Sequence, residues 1–241
     1  MKSFLFKEIK YYEKIDSTNL EAKRILNKGC SNNNFVVVAK TQTSGIGRFN
    51  RKWVSEKGGL WFSLVFPDTD FNSTITIFSS IILHKTILNY FSEAPVAIKW
   101  PNDIFWNDKK LAGILSVKSE NATIIGLGVN INQKRLPEDL MNTATSVYIE
   151  TKITMNLKNT LKTFLYFFEK NITEYINEDI MSFRQYYKNY DYLYGKKISI
   201  SLSEKNFIGQ AAGISKRGEL MVIIDNEKKY FISADKIDII G

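Results

Sequence analysis

The chain has 241 residues, of which 44% are apolar and 24% charged; these are the proportions of a folded globular protein, and they exclude disorder as the default state. No apolar run approaches the ~20 residues needed to cross a bilayer. The start, Met1-Lys2-Ser3-Phe4-Leu5-Phe6-Lys7, is charged but lacks the long apolar core of a secretory signal. Net charge is +8, which favours acidic partners such as nucleic acid, nucleotides or an acidic protein. The lysines are spread along the whole chain, the pattern of a solvated surface rather than of a nucleic-acid-binding arm. With one cysteine, Cys30, no internal disulfide is possible, and a cytoplasmic protein is the simplest reading. The one histidine, His84, falls in an apolar segment, which argues against a Cys–His catalytic pair.

In chain order, residues 4–15 read as a strand with aromatic content. Asp16 or Ser17 then offers an N-cap to a helix over residues 20–28 that stops at Gly29. Cys30 lies in a polar loop. Residues 35–39 form a short β-branched run, hence a buried strand. Residues 43–52, with Gly45 and Gly47 among basic side chains, form a loop. Residues 60–66 read as a strand stopped at Pro67, and residues 74–90 as a helix rich in Ile and Leu. Residues 97–100 lead into a turn at Pro101-Asn102-Asp103. A hairpin follows over residues 104–106 and 110–118, then an apolar strand over 122–131 containing Gly126 and Gly128. Residues 157–176 form an amphipathic helix and 180–190 a second one. From Gly195 the texture changes to short strands at 198–202, 207–214, 220–224 and 229–232, the pattern of a small barrel, with a domain boundary near Tyr194.

Four segments carry candidate chemistry. In the loop from Gln42 to Trp53, Gly45 and Gly47 let the backbone approach a ligand, and Arg48, Arg51 and Lys52 supply donors for phosphate or carboxylate. Trp53 can cover a planar base. By itself this reads equally as a basic surface loop, and neither a P-loop nor a G-x-G-x-x-G pattern is present. Lys99-Trp100-Pro101-Asn102-Asp103 sets a lysine, an amide and a carboxylate on a stiffened turn, where Asp103 can hold Mg²⁺; an Asn-Asp turn beside an incidental lysine is the alternative. Lys110, entering an apolar strand ahead of Gly113, can reach into a pocket or can guard a sheet edge. Gly126-Leu127-Gly128-Val129-Asn130 suggests close approach by a ligand, with Asn130 aimed at a base, or a bulge.

Taken together, the series Asp16-Ser17-Thr18-Asn19, Gln42 with its Gly-Arg loop and Trp53, Lys99-Trp100-Pro101-Asn102-Asp103, Lys110-Leu111-Ala112-Gly113-Ile114-Leu115 and Gly126-x-Gly128-x-Asn130 resembles the biotin–protein ligase family over nearly the whole chain. The K-W-P-N-D block with K-L-A-G-I-L seven residues on is the most specific part. The resemblance implies an α+β fold: a class II synthetase-like mixed central sheet with helices on one side over residues 1–194, then an SH3-like barrel over 195–241. It implies an enzyme that uses MgATP to convert biotin to biotinyl-5′-AMP. Biotin then passes to a lysine of a biotin carboxyl carrier protein, of acetyl-CoA carboxylase or a similar carboxylase.

By the same resemblance, Ser17, Thr18, Asn19 and Gln42 line the ureido and ring end of biotin, and the backbone at Gly45, Ile46 and Gly47 closes on it. Arg48 and Lys110, the expected catalytic residues, meet at the carboxylate–phosphate junction beside Gly113. Arg51, Lys52, Trp53, Lys99, Asn102, Asp103 and Asn130 receive ATP, and Asp103 its Mg²⁺. The usual loop reads G-R-G-R-x-G-R; here Ile46 stands for an arginine and Asn50 for a glycine. The first strand begins within a few residues of Met1, so no N-terminal DNA-binding domain and no operator binding are expected. Monomer and homodimer are both open. The alternatives are a lipoate or octanoate ligase, whose Arg-Arg-x-x-Gly-Gly-Gly loop is missing here; a basic nucleic-acid-binding protein; and a catalytically silent carrier-docking module. Retention of Arg48, Asp103 and Lys110 argues against the last.

Overall fold

The computed structural model describes residues 5–29, 31–119 and 122–240. Phe4, expected to open the first strand, and Cys30, expected in a loop, lie outside the described residues. The first strand is β1 (Glu8–Ile15), followed by α1 (Thr18–Asn27), β2 (Phe35–Gln42) and β3 (Leu60–Phe66). Next come α2 (Thr74–Tyr90), β4 (Val96–Lys99), β5 (Asp103–Trp106), β6 (Lys109–Ser119) and β7 (Ala122–Val129). These strands form one seven-stranded mixed sheet in the order β1-β2-β3-β7-β6-β5-β4, in which β1 and β2 run parallel and the other neighbours antiparallel.

Two helical segments after β7 differ from the sequence expectation. A short helix, α3 (Val147–Thr151), is capped by Ser146, whose hydroxyl accepts from the Ile149 amide; at five residues it is too short to show a period. The expected helix over 180–190 is broken. A 3₁₀ turn covers Asp179–Phe183, and α5 follows over Arg184–Asn189 after the left-handed Asp179 (φ 55°).

Helix α4 (Leu157–Glu178) begins at Asn156, whose side chain accepts from the Asn159 amide. Leu161, Phe164, Leu165, Phe168, Ile172 and Tyr175 recur at helical spacing and are buried. They pack with α2 over Phe62, Leu64 and Phe66 of β3. Helix α2 is buried almost all round; Ser79, Ser80 and Thr86 donate to the carbonyls of Ile75, Thr76 and Ile82 one turn back, while Thr74 and Thr76 pair outside the helix with Asp179 and Ser116. The sequence reading placed the helices on one side of the sheet, and α1 departs from it. Ala22 and Ile25 of α1 pack on the opposite face, against Phe35, Val37, Val65 and Ile124. Every residue of β3 is therefore buried, which is why it reads as a continuous apolar run instead of an alternating one.

The C-terminal segment forms a second, five-stranded antiparallel sheet in the order β11-β10-β9-β8-β12. Its strands are β8 (Lys197–Leu202), β9 (Lys205–Ile214), β10 (Leu220–Ile224), β11 (Glu227–Phe231) and β12 (Lys236–Ile239), the last unforeseen from sequence. Its apolar face, with Ile198, Ile200, Leu220 and Val222, joins the main core. Trp100, before a cis bond to Pro101, donates its indole N–H to the Gly218 carbonyl at 2.9 Å and ties the two sheets together. The outer edge of β4 is covered where Ile98 exchanges backbone hydrogen bonds with Tyr190 and Tyr192. Among the described residues no helix is long and apolar enough to cross a membrane.

His84 is a packing residue. Its Nε2 lies 3.0 Å from the Val96 carbonyl, which can only accept, so Nε2 carries the proton and Nδ1 accepts from the Tyr186 hydroxyl at 2.8 Å. Burial pushes the imidazole down to about 4 from its ordinary 6.5, opposed by the bond to Val96. The fold favours the neutral ring, so this stabilisation is complete above about 6.5 and is lost as pH falls through about 4. Since His84 is the only histidine, an NMR titration of its ring is unambiguous. The ring is expected to stay neutral down to about pH 4, and titration near 6.5 would contradict this packing.

Candidate active site

The site is built on a face of the sheet where side chains give way. Residues that pair across antiparallel strands point the same way. One such row runs Lys99–Asp103–Gly113–Gly128–Trp61 across β4, β5, β6, β7 and β3. The neighbouring row runs Ser63–Gly126–Leu115. The glycines leave a trough, and it is filled from above. A Cβ on Gly128 would stand 2.4 Å from Trp53 Nε1, and one on Gly126 would stand 2.5 Å from Asn19 Oδ1. Trp53 thus lies on Gly128 and Gly113, edge-on to Trp61 with centroids 6.4 Å apart.

Above this floor is a cavity of about 460 Å³. At one end, Ser17, Thr18 and Asn19 open α1. Ser17 occupies the N-cap position, but its hydroxyl makes no capping bond. The Thr18 amide donates to Gln42 Oε1 at 2.7 Å, and Gln42 Nε2 donates to Ser55 Oγ at 2.7 Å.

The basic loop folds as a small hairpin. Gln42 bridges to Ser55 and Ile46 to Lys52, and the Gly47 amide donates to the Arg51 carbonyl at 2.8 Å. Its turn contains Phe49 (φ 54°) and Asn50 (φ 56°), both left-handed. Asparagine tolerates this conformation better than most residues, so Asn50 keeps the backbone shape that a glycine would serve. Ile46 and Phe49 at the loop tip are 42% and 54% exposed, so the mouth of the cavity is open. Gly45 departs from expectation: it does not line the cavity. It packs inside the hairpin, where a Cβ would meet the Trp53 carbonyl oxygen at 2.4 Å.

At the other end, charges converge. Lys110 Nζ lies 2.8 Å from Asp103 Oδ1, with the two side chains 31% and 20% exposed. This is a close charge contact without hydrogen-bond direction, since Asp103 Oδ1 is buried and makes no hydrogen bond. The Lys110 ammonium also sits 5.2 Å from the centroid of the Trp53 ring. Arg48 reaches the same group from the loop, its Nη1 3.4 Å from Asn102 Oδ1. Burial lowers the Arg48 pKa from its ordinary value, and the charge of Asp103 opposes this; the guanidinium stays cationic at any working pH. Asn102 is held in turn by the Ile114 carbonyl, to which its Nδ2 donates at 2.8 Å.

Of the other expected residues, Lys52 lines the cavity and is exposed. Lys99 lines it too, but its ammonium donates to the Ile237 carbonyl at 3.2 Å and lies over the Phe105 ring, and desolvation lowers its pKa. The Asn130 amide is engaged by protein: Nδ2 donates to the Thr145 carbonyl at 3.0 Å, and Oδ1 accepts from Gln133. Two walls escaped sequence reading. One is the segment around Leu136, Pro137 and Leu140, whose only sequence signal is a long stretch without period between β7 and α3. The other comes from β12 and the residues just before it, where carbonyls of Ala234, Asp235 and Ile237 accept from Arg48, Arg51 and Lys99. No local signal announces contacts across more than a hundred residues. Among the described residues no cluster of three or more His, Cys, Asp or Glu groups could hold a metal alone.

Residues 11–132 match the model of the biotin/lipoate A/B protein ligase family. The bifunctional ligase/repressor BirA of Bacillus subtilis (strain 168) is 30% identical over 236 residues, covering 93% of this chain and 72% of that protein. A biotin–[acetyl-CoA-carboxylase] ligase of Paracoccus denitrificans is 34% identical over 125 residues, 48% of this chain and 51% of its own length. Among solved structures, the biotin protein ligase from Aquifex aeolicus in complex with biotin and ATP superposes with a TM-score of 0.87 at 26% identity, covering 97% of this chain and 100% of that one. The match to the family model and the relatives aligned over 93% of this chain agree with the cavity and its converging charges: this chain belongs to the biotin/lipoate A/B protein ligase family.

Proposed function

We propose that this protein is a biotin–protein ligase that activates biotin with MgATP to biotinyl-5′-AMP and passes biotin to one lysine of a biotin carboxyl carrier protein domain. The supporting observation is that Arg48, from the loop, and Lys110, from β6, converge on the Asn102–Asp103 turn in one cavity of about 460 Å³. The relatives named as ligases and the solved biotin–ATP complex support the same reaction.

The chemical difficulty is that a carboxylate must attack a phosphate when both are anionic. Arg48 and Lys110 offset that repulsion and stabilise the charge that builds on the α-phosphate oxygens. Holding both substrates on the rigid sheet supplies much of the remaining acceleration. Biotin's carboxylate displaces pyrophosphate and forms a mixed anhydride. The lysine amine of the carrier then attacks the acyl carbon and AMP leaves. Ser17, Thr18, Asn19 and Gln42 orient the ureido ring, Arg51 and Lys52 meet the phosphates, and Trp53 faces the base. Mg²⁺ keeps several waters and needs only one or two carboxylates besides substrate phosphates; Asp103, with a buried oxygen free of hydrogen bonds, suits that role and would bring the ion against the phosphates to neutralise charge.

We further assign residues 1–194 to the catalytic domain and 195–241 to an SH3-like domain. The bonds from Arg48, Arg51 and Lys99 to the carbonyls of Ala234, Asp235 and Ile237 support a part for the second in shaping the nucleotide end. The protein is read as cytoplasmic. Its acceptor is the carrier domain of acetyl-CoA carboxylase or a similar carboxylase.

Biotin-dependent ATP–pyrophosphate exchange tests the reading: exchange is expected with biotin and not with lipoate, and the reverse preference overturns it. Lys110→Ala is expected to slow adenylation by roughly 10²-fold, the scale of one lost preorganised charge; single-turnover rates near those of the native protein would remove Lys110 from the chemistry. Ile46, 42% exposed at the position where the usual loop of the family it resembles has an arginine, supplies no cation to close the loop. Biotinyl-AMP is therefore expected to leave the native protein faster than it leaves Ile46→Arg, and equal off-rates count against this.

A further inference from the structure

The tip of the basic loop is the turn Arg48-Phe49-Asn50-Arg51, closed by the Arg51 amide, which donates to the Arg48 carbonyl at 3.2 Å. Both central residues are left-handed, with φ 54° at Phe49 and 56° at Asn50. Hairpin turns of that kind favour asparagine, aspartate or glycine at these places. Asn50 meets the preference and Phe49 does not, because a bulky side chain is disfavoured in this conformation. Burial does not compensate for it, since Phe49 is 54% exposed.

What the ring does meet is two cations. The guanidinium carbon of Arg48 lies over the ring at 4.9 Å from its centroid, and that of Arg51 at 5.7 Å. Both fall inside the ~6 Å reach of a cation–π attraction. The turn brings the two arginines close together. Burial is the main influence against the charge of Arg48, and the neighbouring charge of Arg51 adds to it. Each guanidinium also donates to a carbonyl far along the chain, Arg48 to Ala234 at 3.5 Å and Arg51 to Asp235 at 2.8 Å. Among the described residues neither arginine forms an ion pair, and Asp103 is paired with Lys110. The negative face of the ring therefore stands where a carboxylate would otherwise balance the two charges. A carboxylate would neutralise the arginines and compete with an incoming phosphate. The ring attracts both cations and leaves their charge and most of their N–H donors free for an anion.

We infer that Phe49 is a positioning residue whose aromatic face holds Arg48 and Arg51 side by side at the cavity, ready for the phosphates of the nucleotide. Part of their mutual repulsion and of their rotamer freedom is thereby offset before ATP binds. Phe49 acts through the two arginines and takes no part in the chemistry itself. The inference rests on the biotin-ligase reading, in which the anion is the triphosphate.

The test measures biotin-dependent pyrophosphate exchange and thermal unfolding for native protein, Phe49→Leu, Phe49→Tyr and a protein with pentafluorophenylalanine at position 49. Leucine keeps apolar bulk without an aromatic face, and tyrosine keeps the face. Pentafluorophenylalanine keeps the ring and reverses the charge of its face. The KM for ATP is expected to rise about fivefold with leucine and with the fluorinated ring, the scale of exposed cation–π contacts. With tyrosine it is expected to stay within about twofold of native, and the KM for biotin to change by less than about twofold throughout. A fluorinated ring that behaves as native phenylalanine shows that only shape matters and overturns the inference. So does an equal rise in both KM values, or a lowered unfolding temperature with the ATP-to-biotin KM ratio unchanged, the result of a merely structural side chain. Native protein without biotin-dependent exchange overturns the ligase reading and the inference with it.

Discussion

Cross-strand register on one face of the large sheet governs everything near the cavity. Lys99, Asp103, Gly113, Gly128 and Trp61 stand side by side because the strands β4, β5, β6, β7 and β3 pair in that register. A slip of one residue would turn each of these side chains to the other face. The glycines would then face the helical core, and Ala112 and Val129, now buried in it, would fill the trough. Trp53 could no longer lie on Gly128, and the Lys110–Asp103 contact would be lost. The large apolar faces of Phe62, Leu64, Ile114 and Leu127 beneath α2 and α4 hold the register, since exposing them would cost far more than any polar contact above returns.

The charge arrangement has its own logic. Two cations alone at the cavity wall would repel each other, and burial disfavours the charge of Arg48. The carboxylate of Asp103 and the amide oxygen of Asn102 relieve this, and they arrive together because they are neighbours on the turn after cis Pro101. Backbone carbonyls of Asp235, just before β12, and Ile237, within it, perform the same service for Arg51 and Lys99. The cationic end of the site is therefore shared between both sheets, and the Trp100–Gly218 hydrogen bond fixes the distance between them. The opposite end is neutral. There, hydroxyls and amides from α1, β2 and β3 are joined by hydrogen bonds.

Much of this was legible in the residue string. β3 and α2 fall where their apolar runs and the stop at Pro67 place them. The Gly–Arg loop, the Lys-Trp-Pro-Asn-Asp turn and the Gly-x-Gly-x-Asn strand all reach one cavity. Gly45 packs within the hairpin; a glycine that permits close approach of a ligand looks the same, in sequence, as one that permits a tight hairpin. Asn130 and Lys99 carry the right groups, yet those groups already have protein partners, Thr145 and Gln133 for one and Ile237 for the other. The helix over 180–190 was overestimated because apolar spacing continues across Asp179–Phe183 while the backbone tightens to a 3₁₀ turn.

The amino-acid sequence by itself determined most of the segments that become strands and helices, short elements such as α3 and β12 excepted, and which chemical groups the site has available. Short-range physics settles both: periodicity, turn residues and side-chain type. Only the tertiary structure decided which face of the sheet α1 covers, that Ser63 stands beneath Thr18 and Asn19, and that carbonyls near the chain's end accept from Arg48, Arg51 and Lys99. Those facts depend on register and on packing between residues far apart in the chain. Such contacts form when apolar surfaces are buried together, and no local pattern of residues encodes them.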